Sequence, residues 1–153
     1  MRPSLVRAYR ATAYTVARSS AVNHGEAELV LHPDLYDPTT DAWLRAERVT
    51  QVVLLTAWNP ASRRCSAQEN RAADAALKHW LEKWSYRWLP AEYRGADPAW
   101  TEAGVAIPGL PRRIGIALAR RLGQNALLFT RLGSPPRLIR TRRNSIDESL
   151  RLS

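Results

Sequence analysis

The sequence predicts an α+β domain with a ferredoxin-like (split βαβ) core sheet, two main helices on one face, an N-terminal hairpin and a short N-terminal helix. Three observations lead there. From Gln51 onward the apolar pattern reads strand, helix, strand, strand, helix, strand. Two long segments repeat apolar residues at helical spacing, and each carries its own start or stop signal. The 153 residues, 45% hydrophobic and 24% charged, suffice for one core and little more, so residues 1–143 are read as one domain and 144–153 as a tail.

Ala13, Thr15 and Ala17 alternate with Tyr14, Val16 and Arg18, which predicts a strand over residues 10–18. Residues 19–26, with Asn23 and Gly25, read as a turn, and residues 27–32 as the returning strand of a hairpin. Pro33 and Pro38 punctuate a loop, after which Thr40 or Asp41 caps a short helix ending near Glu47. Residues 51–58 are an unbroken β-branched and aliphatic run, as in a strand buried on both faces, stopped by Asn59-Pro60. Ser66 and Glu69 form a capping box that opens a helix over residues 66–84. Its apolar stripe is Ala73, Ala76, Leu77, Trp80, Leu81 and Trp84, with His79 on the solvent side.

Residues 85–94 contain a strand, with alternation at Tyr86 and Trp88 as far as Pro90. A turn at 95–99 leads to a strand at 100–107, and Pro108-Gly109-Leu110-Pro111 breaks the chain. A second long helix at 112–122 points Ile114, Ala117, Leu118 and Leu122 inward, and Gly123 ends it because glycine accepts the left-handed conformation. Residues 125–131 and 137–141 are the last two strands, joined by a turn at 133–136.

Charge is distributed unevenly. The net charge is +9, yet residues 1–102 hold 13 basic and 12 acidic residues, whereas residues 103–153 hold 10 basic and 2 acidic ones. No acid lies between Ala103 and Ile146. Such a basic third suits nucleic acid, nucleotides or acidic protein surfaces, although all but two of the basic residues are arginine, a bias that composition alone can produce. The densest basic run is Arg137, Arg140, Arg142 and Arg143. The single cysteine, Cys65, forms no internal disulfide, so a cytoplasmic location is expected. The apolar runs are too short to span a bilayer, so no membrane association is expected. Arg2, Arg7, Arg10 and Arg18 give the first residues a transit-peptide flavour, but the strand alternation makes them part of the fold.

Standard catalytic motifs are missing. There is no phosphate-binding glycine loop and no nucleophile elbow, and His24, His32 and His79 lack partners at metal-ligand spacing, so neither metal nor cofactor is expected. Amides and carboxylates instead gather at the ends of the predicted elements. Trp58, Asn59, Ser62 and Arg63 follow the central strand, Asn70 lies one turn into the capped helix, and Gln124 and Asn125 precede a later strand. Asn70 sits on an apolar face, where a polar amide needs partners. Glu92 and Glu102 are the candidate general bases, since no histidine is placed for that work.

Tyr9-Arg-Ala-Thr12-x-Tyr14, Leu55-Thr-Ala-Trp-Asn-Pro-x-Ser62, Ser66-x-x-x-Asn70 and Gly123-Gln-Asn-Ala126 follow one another in that order. In these motifs the chain resembles the small bacterial proteins catalogued as domain of unknown function thirty-two ninety-three. Where that family usually has Glu followed by Pro or Ser, this chain reads Glu102-Ala103-Gly104. The resemblance implies a shared site without naming its chemistry.

Three functional classes follow. The first is a polar pocket for an anionic, nucleotide-like small molecule, with Arg63 supplying charge and, in an enzyme, Glu92 or Glu102 moving a proton. The second is a nucleic-acid-binding module using Arg137, Arg140, Arg142 and Arg143 with sheet aromatics. The third is a protein-interaction module using the basic C-terminal third.

Overall fold

The computed structural model describes residues 1–17 and 28–142. In chain order its elements are α1 (Pro3–Arg10), β1 (Ala13–Ala17), β2 (Glu28–Leu31), α2 (Pro38–Ala46), β3 (Gln51–Leu55), a 3-10 turn (Pro60–Ser62), α3 (Ala67–Lys83), β4 (Leu89–Arg94), β5 (Thr101–Pro108), α4 (Arg112–Arg121), β6 (Ala126–Arg131) and β7 (Arg137–Arg140). The predicted turn at 19–26 and tail at 144–153 lie outside the described residues.

The seven strands form one sheet in the order β2-β1-β4-β5-β3-β6-β7, with every neighbouring pair antiparallel. β3 is an interior strand, and Val52, Val53, Leu54 and Leu55 are all buried, as an unbroken aliphatic run requires. Its alternate residues feed two cores. Val53 and Leu55 meet Leu77 and Leu81 of α3 and Leu118 and Ala119 of α4 on one face. Val52 and Leu54 share the other core with Tyr14, Tyr93, Leu128 and the α2 residues Trp43 and Leu44. Both long helices therefore cover the same face, and α2 covers the opposite one.

The capping box of α3 is present in both directions. Glu69 N donates to Ser66 Oγ at 3.1 Å, and Ser66 N donates to Glu69 Oε2 at 2.9 Å. The buried face of α3 is rotated from the expected stripe. It runs through Asn70, Leu77 and Leu81, while Ala76 is exposed, Trp80 is half-buried and Trp84 is 60% exposed. Trp80 stacks on Tyr86 and Trp84 lies against Trp80, so the tryptophans cover the end of the helix rather than fill the core. In α4, Ala117 is exposed and Gly115 and Ala119 take the inward positions.

The structure corrects three boundaries. Residues 3–10 form a helix in addition to the expected short helix ending near Glu47, and the first strand begins at Ala13 rather than at residue 10. β3 stops at Leu55 rather than Trp58. Beyond it the Thr56 hydroxyl donates to the Ala103 carbonyl at 2.7 Å and accepts from Trp58 N at 3.0 Å, replacing the ladder. β4 starts at Leu89, because Ser85 is left-handed (φ 59°) and Tyr86 N turns back to the Leu81 carbonyl, closing the end of α3.

Candidate functional site

The segment after β3 is built from backbone conformations that side chains resist. Asn59, Ala61 and Ser62 all have positive φ, at 46°, 56° and 59°. Asparagine tolerates this region, but alanine and serine are disfavoured there by roughly 1–2 kcal/mol each. Surrounding bonds over-determine the shape. Ala61 N donates to the Gly123 carbonyl at 2.9 Å, Gln124 Nε2 donates to the Trp58 carbonyl at 2.9 Å, and Asn59 N donates to Asn70 Oδ1 at 3.0 Å. Gly123 ends α4 with φ 69°, so the turn that terminates one helix props up the loop that precedes the other.

Within this frame the two asparagines satisfy each other. Asn59 Oδ1 accepts from Asn70 Nδ2 at 3.0 Å and from Cys65 N at 2.9 Å. Asn59 Nδ2 then donates to Glu102 Oε1 at 3.0 Å. All three residues are buried. The partner that Asn70 requires on its apolar face is thus Asn59, and the pair fixes a buried carboxyl.

Glu102 borders a cavity of about 340 Å³ on the face opposite α3 and α4. Apolar walls come from Leu5 and Ala8 of α1, Leu54, Leu128 and Leu138, with Trp100 at the turn before β5. Its polar lining is Tyr9, Thr12, Thr56, Ser62, Asp97, Glu102 and Gln124. Tyr9 Oη and Ser62 Oγ are 2.9 Å apart, and Asn125 Nδ2 donates to the same Ser62 Oγ at 3.1 Å. No hydrogen bond reaches Glu102 Oε2 from the described residues, so that oxygen is open to an occupant.

Burial pushes the Glu102 carboxyl above its ordinary value of 4.5, and the Asn59 amide opposes this by favouring the charged form. Burial likewise raises the Tyr9 phenol, with Ser62 and Asn125 pulling it down and the nearby Glu102 charge pushing it up. Tyr14 and Tyr93 are raised by burial too. The folded protein holds the Glu102 proton more tightly than the unfolded chain does. The stability this group contributes is therefore full below 4.5 and is lost as pH rises through the folded value.

The remaining expected site residues are placed as follows. Trp58 is half-buried and outside the cavity lining, and its indole Nε1 has no partner among the described residues. Arg63 is exposed and also outside the lining. Asn125 is outside the cavity lining and reaches it through two of its lining residues, donating to Ser62 Oγ and lowering the Tyr9 phenol. Glu92 is paired with Arg94 and lies opposite Ala103, one residue out of phase with the Tyr93–Glu102 pair, so it faces away from Glu102. In β7, Arg137 pairs with Phe129 and Arg140 with Ala126, which puts the two arginines on opposite faces. Arg142 is exposed, and Arg143 is outside the described residues.

Tyr9 and α1, which close the cavity, were missed by the reading of strand and helix patterns. Their signal was the Tyr9-Arg-Ala-Thr12-x-Tyr14 motif, together with Leu5, Val6 and Tyr9 at helical spacing after Pro3.

Among the described residues, no helix is long and apolar enough to cross a membrane. No curated protein and no solved structure matches the chain. Residues 55–127, just under half of it, match the family described as "Protein of unknown function (DUF3293)". That segment carries Asn59, Ser62, Asn70, Glu102 and Gln124, so the resemblance to this family covers the residues that hold the buried carboxyl.

Proposed function

We propose that the cavity binds a small organic molecule with an apolar body and a polar group that donates hydrogen bonds or carries positive charge, and that Glu102 takes up and returns a proton there. The observation that carries this is the buried Glu102 carboxyl, with Oε1 committed to Asn59 and Oε2 open at the wall of an apolar cavity. Burial moves this carboxyl in the direction that a general acid–base group needs, toward holding its proton more tightly than a solvated glutamate does.

The sequence pointed to an anionic ligand held by Arg63. Among the described residues the lining includes no arginine, lysine or histidine, and its carboxyl groups are Asp97 and Glu102, so the arrangement favours neutral or cationic head groups. The strand order β4-β5-β3-β6, with α3 and α4 on one face, supports reading the core as a ferredoxin-like split βαβ unit widened by β1, β2 and β7. The lone Cys65 supports a reducing, cytoplasmic setting.

The test is a thermal-unfolding screen of neutral, cationic and anionic small molecules. A ligand at one hundred times its Kd adds about 2.7 kcal/mol of stability. Stabilisation is expected from neutral or cationic compounds and should shrink in Glu102→Gln. Stabilisation by anions alone, undiminished in Glu102→Gln, would contradict the proposal.

A further inference from the structure

On the α3/α4 face, β6 and β7 form an open groove of about 260 Å³ beside the start of α4. It shares no residue with the cavity at Glu102. Register explains its lining. Phe129 pairs with Arg137, and Arg131 and Ile139 lie two residues further along their strands, so all four side chains emerge on one face. Phe129 and Ile139 form a half-buried apolar floor at the margin of the core. Arg112, Arg131 and Arg137 are exposed around it, and none of them has an ion-pair partner among the described residues.

The start of α4 is an independent pointer. Its first turn carries Arg112 and Arg113 and no acid, and the N-cap Pro111 makes no side-chain bond. Cations at the positive end of a helix dipole are unfavourable unless an anion joins them. The first amides to find helical acceptors are those of Ile114 and Gly115, so the Arg112 and Arg113 N–H groups remain as donors facing outward from the helix end.

We propose that this groove binds single-stranded nucleic acid, with Arg112, Arg131 and Arg137 on successive phosphates and an unpaired base against Phe129. Guanidinium groups neutralise backbone charge, while an aromatic floor accepts any base by its π-face, the combination that suits an unpaired strand. A duplex keeps its bases stacked inside and cannot offer one to a recessed ring.

Fluorescence anisotropy with labelled oligothymidylate tests this, with a duplex of equal length and heparin as comparisons. Wild type is expected to bind the single strand most tightly. The slope of log K against log salt should be about −2, from roughly −0.7 per phosphate neutralised. The triple variant Arg112→Gln, Arg131→Gln, Arg137→Gln should flatten that slope. Phe129→Leu, which keeps the floor apolar, should keep the slope and weaken binding about fivefold or more. The proposal is overturned by absence of binding at low salt, by a triple variant with wild-type slope, or by equal affinity for heparin with Phe129→Leu unchanged.

Discussion

Gly104→Ala is expected to destabilise the protein by about 3–5 kcal/mol, enough to threaten folding altogether. A Cβ at Gly104 would lie 2.6 Å from Tyr93 Cε2 and Cζ and 2.7 Å from its Oη. That ring cannot swing away cheaply. Tyr93 is 5% exposed, packs on Tyr14 at 4.8 Å between ring centroids, and shares its one hydroxyl proton between the Leu55 and Val105 carbonyl oxygens, both at 3.0 Å. Overpacking of a well-filled core costs about 1–3 kcal/mol, and loss of the hydroxyl shared by the two buried carbonyls adds about the same. The double variant Gly104→Ala, Tyr93→Leu should recover part of the loss, because the two changes share one volume. Urea unfolding of Gly104→Ala, Tyr93→Leu and the double variant decides it; a Gly104→Ala protein within about 1 kcal/mol of wild type, by the usual scale of tolerated swaps, would mean the ring is not confined.

The second large effect is Asn59→Asp. The substitution is nearly isosteric, yet it replaces the amide that donates to Glu102 Oε1 at 3.0 Å with a carboxylate oxygen. Two buried carboxyls at that separation cannot both ionise. At neutral pH the variant should lose about 3–5 kcal/mol, the scale of an uncompensated buried charge. In acid the pair can share a proton and the loss should shrink. Because the folded state binds protons more tightly than the unfolded chain, the variant's stability must fall as pH rises. Unfolding measured at acid and neutral pH checks both size and direction, and a small loss independent of pH would contradict the geometry.

Much of the fold was legible because its signals are local. The Ser66–Glu69 box, the aliphatic run at Val52–Leu55 and the Gly123 stop each act within a few residues. The rotation of α3 was not legible, since alanine and tryptophan at helical spacing do not reveal which side meets a sheet. Asn70 was read as needing a buried partner, and the sequence could not supply its identity, because Asn59 and Glu102 arrive from different elements. The cavity stayed hidden for the same reason. Its walls come from α1, six strands and the segments that connect them, and only the register places Glu102 beside Tyr93 and Glu92 behind it. Register also split the basic run, sending Arg137 to the groove and Arg140 to the other face, while Arg112 and Arg131 joined Arg137 from distant positions.

The candidate site is built around a carboxyl kept largely out of water by an apolar cavity and oriented by one asparagine. Its most direct test is a carbon-detected NMR titration of the Glu102 side chain in the wild-type protein, assigned by comparison with Glu102→Gln. A midpoint above 4.5 is the predicted result, since burial outweighs the Asn59 hydrogen bond. A midpoint at or below 4.5 would show that burial does not outweigh hydrogen bonding and solvent at Glu102, and would contradict a carboxyl held in an apolar cavity.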